Sequence, residues 1–234
     1  MKTKFIVVFA LMGLFVASPS FAKDKAADSW SETLVSPEET FTNIGRNPCF
    51  ILEPGYQLVL AGTEEGKKTE VTITVLNETQ DIAGVTTRVI EERETADGKL
   101  VEVSRNYYVI GTKSHHAYYF GEDVDMYKDG KVASHEGTWR EGKDGAKHGV
   151  MISGEMKAGE RYYQEKAPGI AQDRGENISA NQNVKTPGGT FKDCVKVKET
   201  TPLEPDNVET KFYAPGIGLV SDGNLKLIKH GFAK

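Results

Sequence analysis

Five carboxylates stand close together in the middle of the chain: Glu122, Asp123, Glu136, Glu165 and Asp173. Brought within ~5 Å of one another, such groups would hold a cation, or would divide into an acid and a base for hydrolysis. The run Glu122-Asp123-Val124-Asp125-Met126-Tyr127-Lys128-Asp129-Gly130 is acidic enough to suggest calcium. It departs from the helix–loop–helix pattern, because Tyr127 stands at the third ligand position and Lys128 where the turn needs glycine. A solvated acidic hairpin is the plainer reading of that run.

Aromatic residues form a second set. Tyr107-Tyr108, Tyr118-Tyr119-Phe120 and Tyr162-Tyr163 lie in strand-like segments. Neighbours on a strand face opposite ways, so each pair sends one ring inward and one outward. The inward rings would line an apolar groove with polar tips, or would simply pack across strands. Arg105 alternates in phase with Val101, Val103, Tyr107 and Val109. A charge on an apolar face needs a partner. A salt bridge to Glu165 is the plainer solution and a ligand anion the other. The ligand-binding candidates are therefore Arg105, Tyr107, Tyr119 and Tyr163.

Other chemistries lack their motifs. No G-x-S-x-G elbow is present, since Gly149-Val150-Met151-Ile152-Ser153-Gly154 has the wrong spacing. Gly216-x-Gly218 lacks the strand–turn–helix setting of a dinucleotide loop, and neither a P-loop nor H-E-x-x-H occurs. His115 and His116 are neighbours on a predicted strand and point apart, which does not favour one shared ion. No cofactor is expected, although the acidic set leaves room for a metal ion.

The elements that would position these residues are strands. Val71, Ile73 and Val75 alternate with Thr72 and Thr74; Val85, Thr87 and Val89 repeat the pattern, and Val208, Thr210 and Phe212 face away from Glu209 and Lys211. Alternation of period two marks strands with one wet face. Asp97-Gly98, Asp129-Gly130 and Asp222-Gly223 sit between such runs and suit tight hairpins. No long amphipathic helix, repeat or linker interrupts residues 46–234, which read as a single all-β domain. One antiparallel sheet of nine to twelve strands must curl to hide its apolar face, giving a half-open or closed barrel with little helix.

The start of the chain reads as an export signal. Met1-Lys2-Thr3-Lys4 is basic, Phe5 to Ala17 is almost wholly apolar, and Ser18-Pro19-Ser20-Phe21-Ala22 ends in small residues, predicting cleavage after Ala22. The apolar run is short of the ~20 residues needed to span a bilayer. Residues 1–22 are thus read as signal peptide and 23–45 as a polar leader, with one helix-start signal at Ser36-Pro37-Glu38-Glu39. The expected location is periplasmic or secreted, with no membrane span. Only Cys49 and Cys194 occur. In an exported chain two cysteines read first as a disulfide. The chain carries 29 basic and 34 acidic residues. This net acidity excludes a nucleic-acid partner, which requires a basic face.

Several short motifs resemble those of a family of exported bacterial proteins of unknown function. Asn47-Pro48 through Glu53-Pro54-Gly55 resembles the family's N-P-Y-F-P-L-x-P-G opening. Tyr118-Tyr119-Phe120-Gly121-Glu122-Asp123, Glu136-Gly137-Thr138-Trp139, Asp144-Gly145-Ala146, Gln164-Glu165 with Ala167-Pro168-Gly169, and Ala171-x-Asp173 continue the likeness. Thr201-Pro202-Leu203-Glu204-Pro205 and Tyr213-Ala214-Pro215-Gly216-Ile217-Gly218 complete it, over about residues 47–220. In strand pattern the family is similar to the lipoprotein-carrier (LolA-like) half-barrels. The resemblance implies fold and export rather than an activity. Cys49 stands where the family commonly has Tyr, and Asn106-Tyr107 where Asp-Trp is common.

The expectation is a non-enzymatic protein holding an apolar or amphipathic small molecule in the concave face of the sheet. The alternatives are a metal-binding or hydrolytic protein built on the five carboxylates, and an envelope protein–protein interaction module with a filled core.

Overall fold

The computed structural model describes Trp30 and residues 38–233. The signal segment 1–22 and the Ser36-Pro37 helix start lie outside the described residues. Eighteen strands follow in chain order. The first nine are Phe41–Thr42 (β1), Gly45–Asn47 (β2), Phe50–Leu52 (β3), Tyr56–Glu64 (β4), Lys67–Ile82 (β5), Val85–Ala96 (β6), Lys99–Gly111 (β7), Ala117–Lys128 (β8) and Lys131–Ser134 (β9). Then come Trp139–Arg140 (β10), Lys147–Ile152 (β11), Arg161–Tyr163 (β12), Glu165–Lys166 (β13), Arg174–Thr186 (β14), Gly189–Thr201 (β15), Glu204–Ala214 (β16), Gly218–Asp222 (β17) and Leu225–Phe232 (β18). There is no helix among the described residues, so none is long and apolar enough to cross a membrane.

Sixteen strands form one antiparallel sheet, in the order β12-β14-β15-β16-β17-β18-β4-β5-β6-β7-β8-β11-β13, with β1, β9 and β10 attached beside it; β2 and β3 pair separately. The expected curled antiparallel sheet is therefore present, as a nearly closed barrel. Its two edge strands, β12 and β13, are consecutive in the chain and separated only by Gln164. One buried residue thus carries the chain from one edge of the sheet to the other. Gly149 shows how tight this seam is, since a Cβ there would lie 2.3 Å from the Tyr163 carbonyl oxygen and 2.6 Å from that of Gln164.

Turn chemistry follows the sequence. Asp97-Gly98 and Asp129-Gly130 form the β6–β7 and β8–β9 turns, and all four residues have positive φ. This conformation fits two-residue hairpins between right-twisted strands. At Gly121 the register of β7 against β8 shifts. Its φ is 144°, and a Cβ there would lie 2.6 Å from the Trp139 carbonyl oxygen, so no side chain fits.

Apolar residues are buried on both faces of the β6–β8 wall. Inside, Leu52, Leu58, Leu60, Val71, Ile90 and Leu227 belong to the main core. Outside, Tyr107, Val109, Tyr118, Phe120 and Val150 form a second cluster. Phe41 covers it, with ring centroids 5.4 Å from Tyr118 and 5.6 Å from Phe120. The end of the segment read as a polar leader is therefore part of the domain, pairing through β1 with Gly111 and Ile110.

The disulfide expected between Cys49 and Cys194 is not formed; both are buried free thiols. Cys49 lies in the β2–β3 turn, where its N–H donates to Asn47 Oδ1 at 2.8 Å. Asn47 in turn donates to the carbonyls of His115 at 2.6 Å and Ser153 at 3.1 Å, which pins the turn to the wall. Cys194 is in step along β15 with Lys196 and Lys198, but it is fully buried where they are only half-buried. Asp193 takes φ of 55°, and Cys194 and Val195 are both buried beside it. The Cys194 Sγ donates to the Lys192 carbonyl at 3.8 Å. Burial pushes the Cys49 thiol up to about 12, with Cys194 adding to the effect.

Candidate functional site

The barrel interior holds a cavity of about 160 Å³. Its walls differ by strand. Every lining residue from β3, β4 and β5 is apolar or aromatic: Phe50, Ile51, Tyr56, Leu58, Ile73 and Val75. The wall made by β15 and β16 contributes Glu199, Thr200, Thr201, Asn207, Glu209, Lys211 and Tyr213. Strands β6 to β8 mix the two, with Ile90 beside Glu92 and Tyr108 beside Asn106 and Glu122.

Strand alternation places these side chains. On β15, residues 195, 197, 199 and 201 are all buried, so Glu199 continues a face begun by Val195 and Val197. On β7, Ser104, Asn106 and Tyr108 share the inner face, and Tyr108 pairs in register with Tyr119 of β8. Their rings stack at 4.8 Å with 16° between planes, and Trp139 meets Tyr119 edge-on at 5.2 Å. The Tyr119 hydroxyl donates to Asn106 Oδ1 at 2.6 Å, and the Asn106 amide donates to Ser104 Oγ at 3.0 Å.

Two buried polar networks result. In the first, Gln164 donates to Glu199 Oε1 at 2.8 Å while Lys211 Nζ lies 2.5 Å from Glu199 Oε2 and 3.8 Å from Asp222 Oδ2. Burial alone would lower the Lys211 ammonium, but the carboxylates of Asp222 and Glu199 outweigh it and hold the group well above its ordinary value. Burial raises Glu199 against the pull of Lys211. In the second network, Glu165 Oε1 accepts the Asp173 N–H at 2.6 Å. Burial, reinforced by the Asp173 charge, holds Glu165 well above the usual carboxylate range. Burial also raises Glu122.

The carboxylates singled out from sequence separate into two groups. Glu122, Glu165 and Asp173 line the cavity. Asp123 is on the outer face, where Arg140 bonds both its oxygens and the Tyr107 hydroxyl donates to Oδ2 at 2.7 Å. Glu136 is exposed in the turn between β9 and β10. Adjacent strand residues cannot share a face, so Glu122 and Asp123 were never able to meet. Among the described residues no group of three or more His, Cys, Asp or Glu converges as a metal site requires.

Of the four ligand-binding candidates, only Tyr119 lines the cavity. Arg105 is exposed outside, 3.1 Å from Glu78 and 3.4 Å from Glu91, and does not pair with Glu165. Tyr107 lies in the outer cluster under Arg140, whose guanidinium is 5.0 Å from the ring centroid. Tyr163 packs near Trp30 at 6.3 Å, with the Lys166 ammonium 4.4 Å from its ring centre. Sequence reasoning missed Glu92, Tyr108, Gln164, Glu199, Lys211 and Tyr213. The available signal was an acid in phase with apolar residues, as in Ile90-x-Glu92 and Val197-x-Glu199.

Comparison with protein-family models, curated proteins and solved structures finds no match to this chain.

Proposed function

We propose that this is an exported, non-enzymatic binding protein that encloses a small amphipathic molecule inside its β-barrel. The observation that carries this reading is the two-sided cavity: an apolar wall from β3 to β5 faces a polar wall from β15 and β16. A ligand site is concave and joins apolar lining to polar groups that fix orientation, and this interior has both. Its volume of about 160 Å³ resembles that of an engineered apolar cavity of ~150 Å³ that admits benzene, which sets the size of the enclosed part of the ligand. The all-β barrel is in keeping with the similarity in strand layout to the lipoprotein-carrier half-barrels, and the apolar N-terminal run supports export.

Native mass spectrometry of the protein purified from the periplasm, without chelators, tests the reading against the denatured mass. A bound organic mass supports it and identifies the ligand class. A native mass equal to the denatured one, together with no thermal stabilisation by any of a panel of small amphiphiles, overturns it.

A further inference from the structure

The cavity is unbalanced in charge. Glu92, Glu122, Glu165, Asp173, Glu199 and Glu209 line it, and among the described residues Lys211 is the one basic lining residue, with no Arg or His. Lys211 is already committed, to Glu199 at 2.5 Å and Asp222 at 3.8 Å. An anionic ligand would meet this field unfavourably.

A second observation concerns hydroxyls. Tyr108 and Tyr213 are 5% and 6% exposed and both line the cavity. Neither hydroxyl has a hydrogen-bond partner among the described residues, unlike those of Tyr56, Tyr107, Tyr119 and Tyr162. Tyrosine hydroxyls shut off from water find partners within the protein, whereas these two open onto the cavity. The two stand on β7 and β16, separate walls of the barrel, and Tyr108 lies within electrostatic reach of Glu92, Glu122, Tyr213 and Glu165. The space between them is therefore bounded by acceptor oxygens, carboxyl groups and the stacked Tyr108–Tyr119 rings. Aromatic faces beside carboxylates form the usual surroundings of an organic cation.

A second recess that shares Glu209 with the cavity has the same sign. Glu64, Glu65, Glu94, Glu102 and Asp222 also line it, against Lys67 and Lys128. A cleft of one sign concentrates ligands of the other.

Resting on the binding reading above, we propose that the occupant is a small amphipathic cation. Its ammonium group sits among Glu122, Glu165, Tyr108 and Tyr213, and its short apolar body lies against Leu58, Ile73, Val75 and Ile90. The ammonium N–H groups would donate to the two tyrosine oxygens.

Titration calorimetry of the exported protein with hexylammonium, hexan-1-ol and hexanoate separates charge from shape, since the three share one apolar body. Hexylammonium is expected to bind about tenfold or more tightly than hexan-1-ol, with hexanoate weakest. Glu122→Gln and Tyr108→Phe should each weaken hexylammonium about fivefold more than they weaken hexan-1-ol. A thermal melt of each variant verifies the fold. Equal binding of the alcohol and the ammonium, or preference for hexanoate, overturns the cation assignment while leaving the binding reading in place. Failure of all three probes also overturns it, and the native mass of the exported protein then decides separately whether the binding reading survives.

Discussion

Gln164 donates its side-chain amide to Oε1 of Glu199 at 2.8 Å, so the residue that carries the chain across the barrel seam also grips a buried acid of the interior. The other oxygen of Glu199 is held by Lys211 at 2.5 Å, and both side chains are almost wholly buried. Removing one member of a buried pair leaves a charge that neither water nor a partner compensates. Lys211→Met is therefore expected to cost about 3–5 kcal/mol in denaturant unfolding. The double variant Lys211→Met/Glu199→Gln should recover most of that loss. If the double variant is no more stable than Lys211→Met, the two residues do not act as a pair.

The seam gives a second prediction. Gly149 faces backbone rather than flexible side chains, because its nearest neighbours are the Tyr163 and Gln164 carbonyls. Added atoms cannot be absorbed by a rotamer change, and the strand must move. Gly149→Ala should separate β11 from the Tyr163–Gln164 crossing and raise the rate of limited proteolysis between β12 and β14. A loss of more than about 2 kcal/mol is expected, in the range of overpacked cores. Wild-type protease resistance in Gly149→Ala would show that the seam is looser than its geometry implies.

Much of this architecture was legible in the chain. Alternation at Val71-Ile73-Val75 and the Asp-Gly turns identify strands and hairpins from local sterics alone. What alternation does not reveal is which face is the inner one. On β16, Val208, Thr210 and Phe212 alternate with Glu209 and Lys211 as expected, yet Val208 is 54% exposed and Glu209, Lys211 and Tyr213 face the cavity. The polar face is the concave one there, because the barrel encloses a polar wall. Arg105 fails for the same reason: its phase with Tyr107 and Val109 is right, but that face is outside and Phe41 covers its apolar part. A positive φ at Asp193 breaks the period of two on β15, so Phe191 and Cys194, three residues apart, both enter the main core.

The opposite faces of Glu122 and Asp123 can be told apart by mutation. Asp123 is bonded to Arg140 and Tyr107 on the outer face, and its side chain is 42% exposed. Asp123→Ala should cost only about 1 kcal/mol, since solvent screens most of the ion pair, and should leave ligand binding unchanged. Glu122→Gln should alter binding with little loss of stability. Equal effects of the two variants on binding would contradict the placement of Asp123 outside.

The buried carboxyls predict a stability profile against pH. Glu122, Glu165 and Glu199 are raised by burial, so the folded state binds more protons than the unfolded state once pH exceeds 4.5. Their contribution to stability is therefore present below 4.5 and falls as pH rises through their folded values. Glu39 and Glu141 act in reverse: burial opposes them, but hydrogen bonds from Lys113 and Ser114, and from His148, hold them low, so stability is lost as pH falls below 4.5. Urea midpoints should accordingly decline from mildly acidic to neutral pH, and Glu122→Gln should flatten that decline. An unchanged slope in Glu122→Gln would mean that Glu122 ionises freely in the folded barrel.

On the alkaline side the two buried thiols act before the buried tyrosines. Thiol titration in denaturant should count two free groups, and in the native protein neither should react quickly, because Cys49 and Cys194 are 1% and 0% exposed. Burial lifts the Cys49 thiol from 9.0 to about 12. The unfolded chain therefore releases this proton first, and stability from Cys49 is complete below pH 9.0 and declines between 9.0 and about 12. Over that whole interval the loss is roughly 4 kcal/mol. Tyr107, lifted to about 12 by burial and the Asp123 carboxylate, adds a loss beginning near its ordinary value of 10.0. Cys49→Ala should delay the alkaline transition while lowering stability at neutral pH, because a buried sulfur is replaced by a smaller group. If Cys49→Ala leaves the onset near pH 9 in place, Cys49 does not set it, and Cys194, also raised by burial, is the thiol that remains to do so.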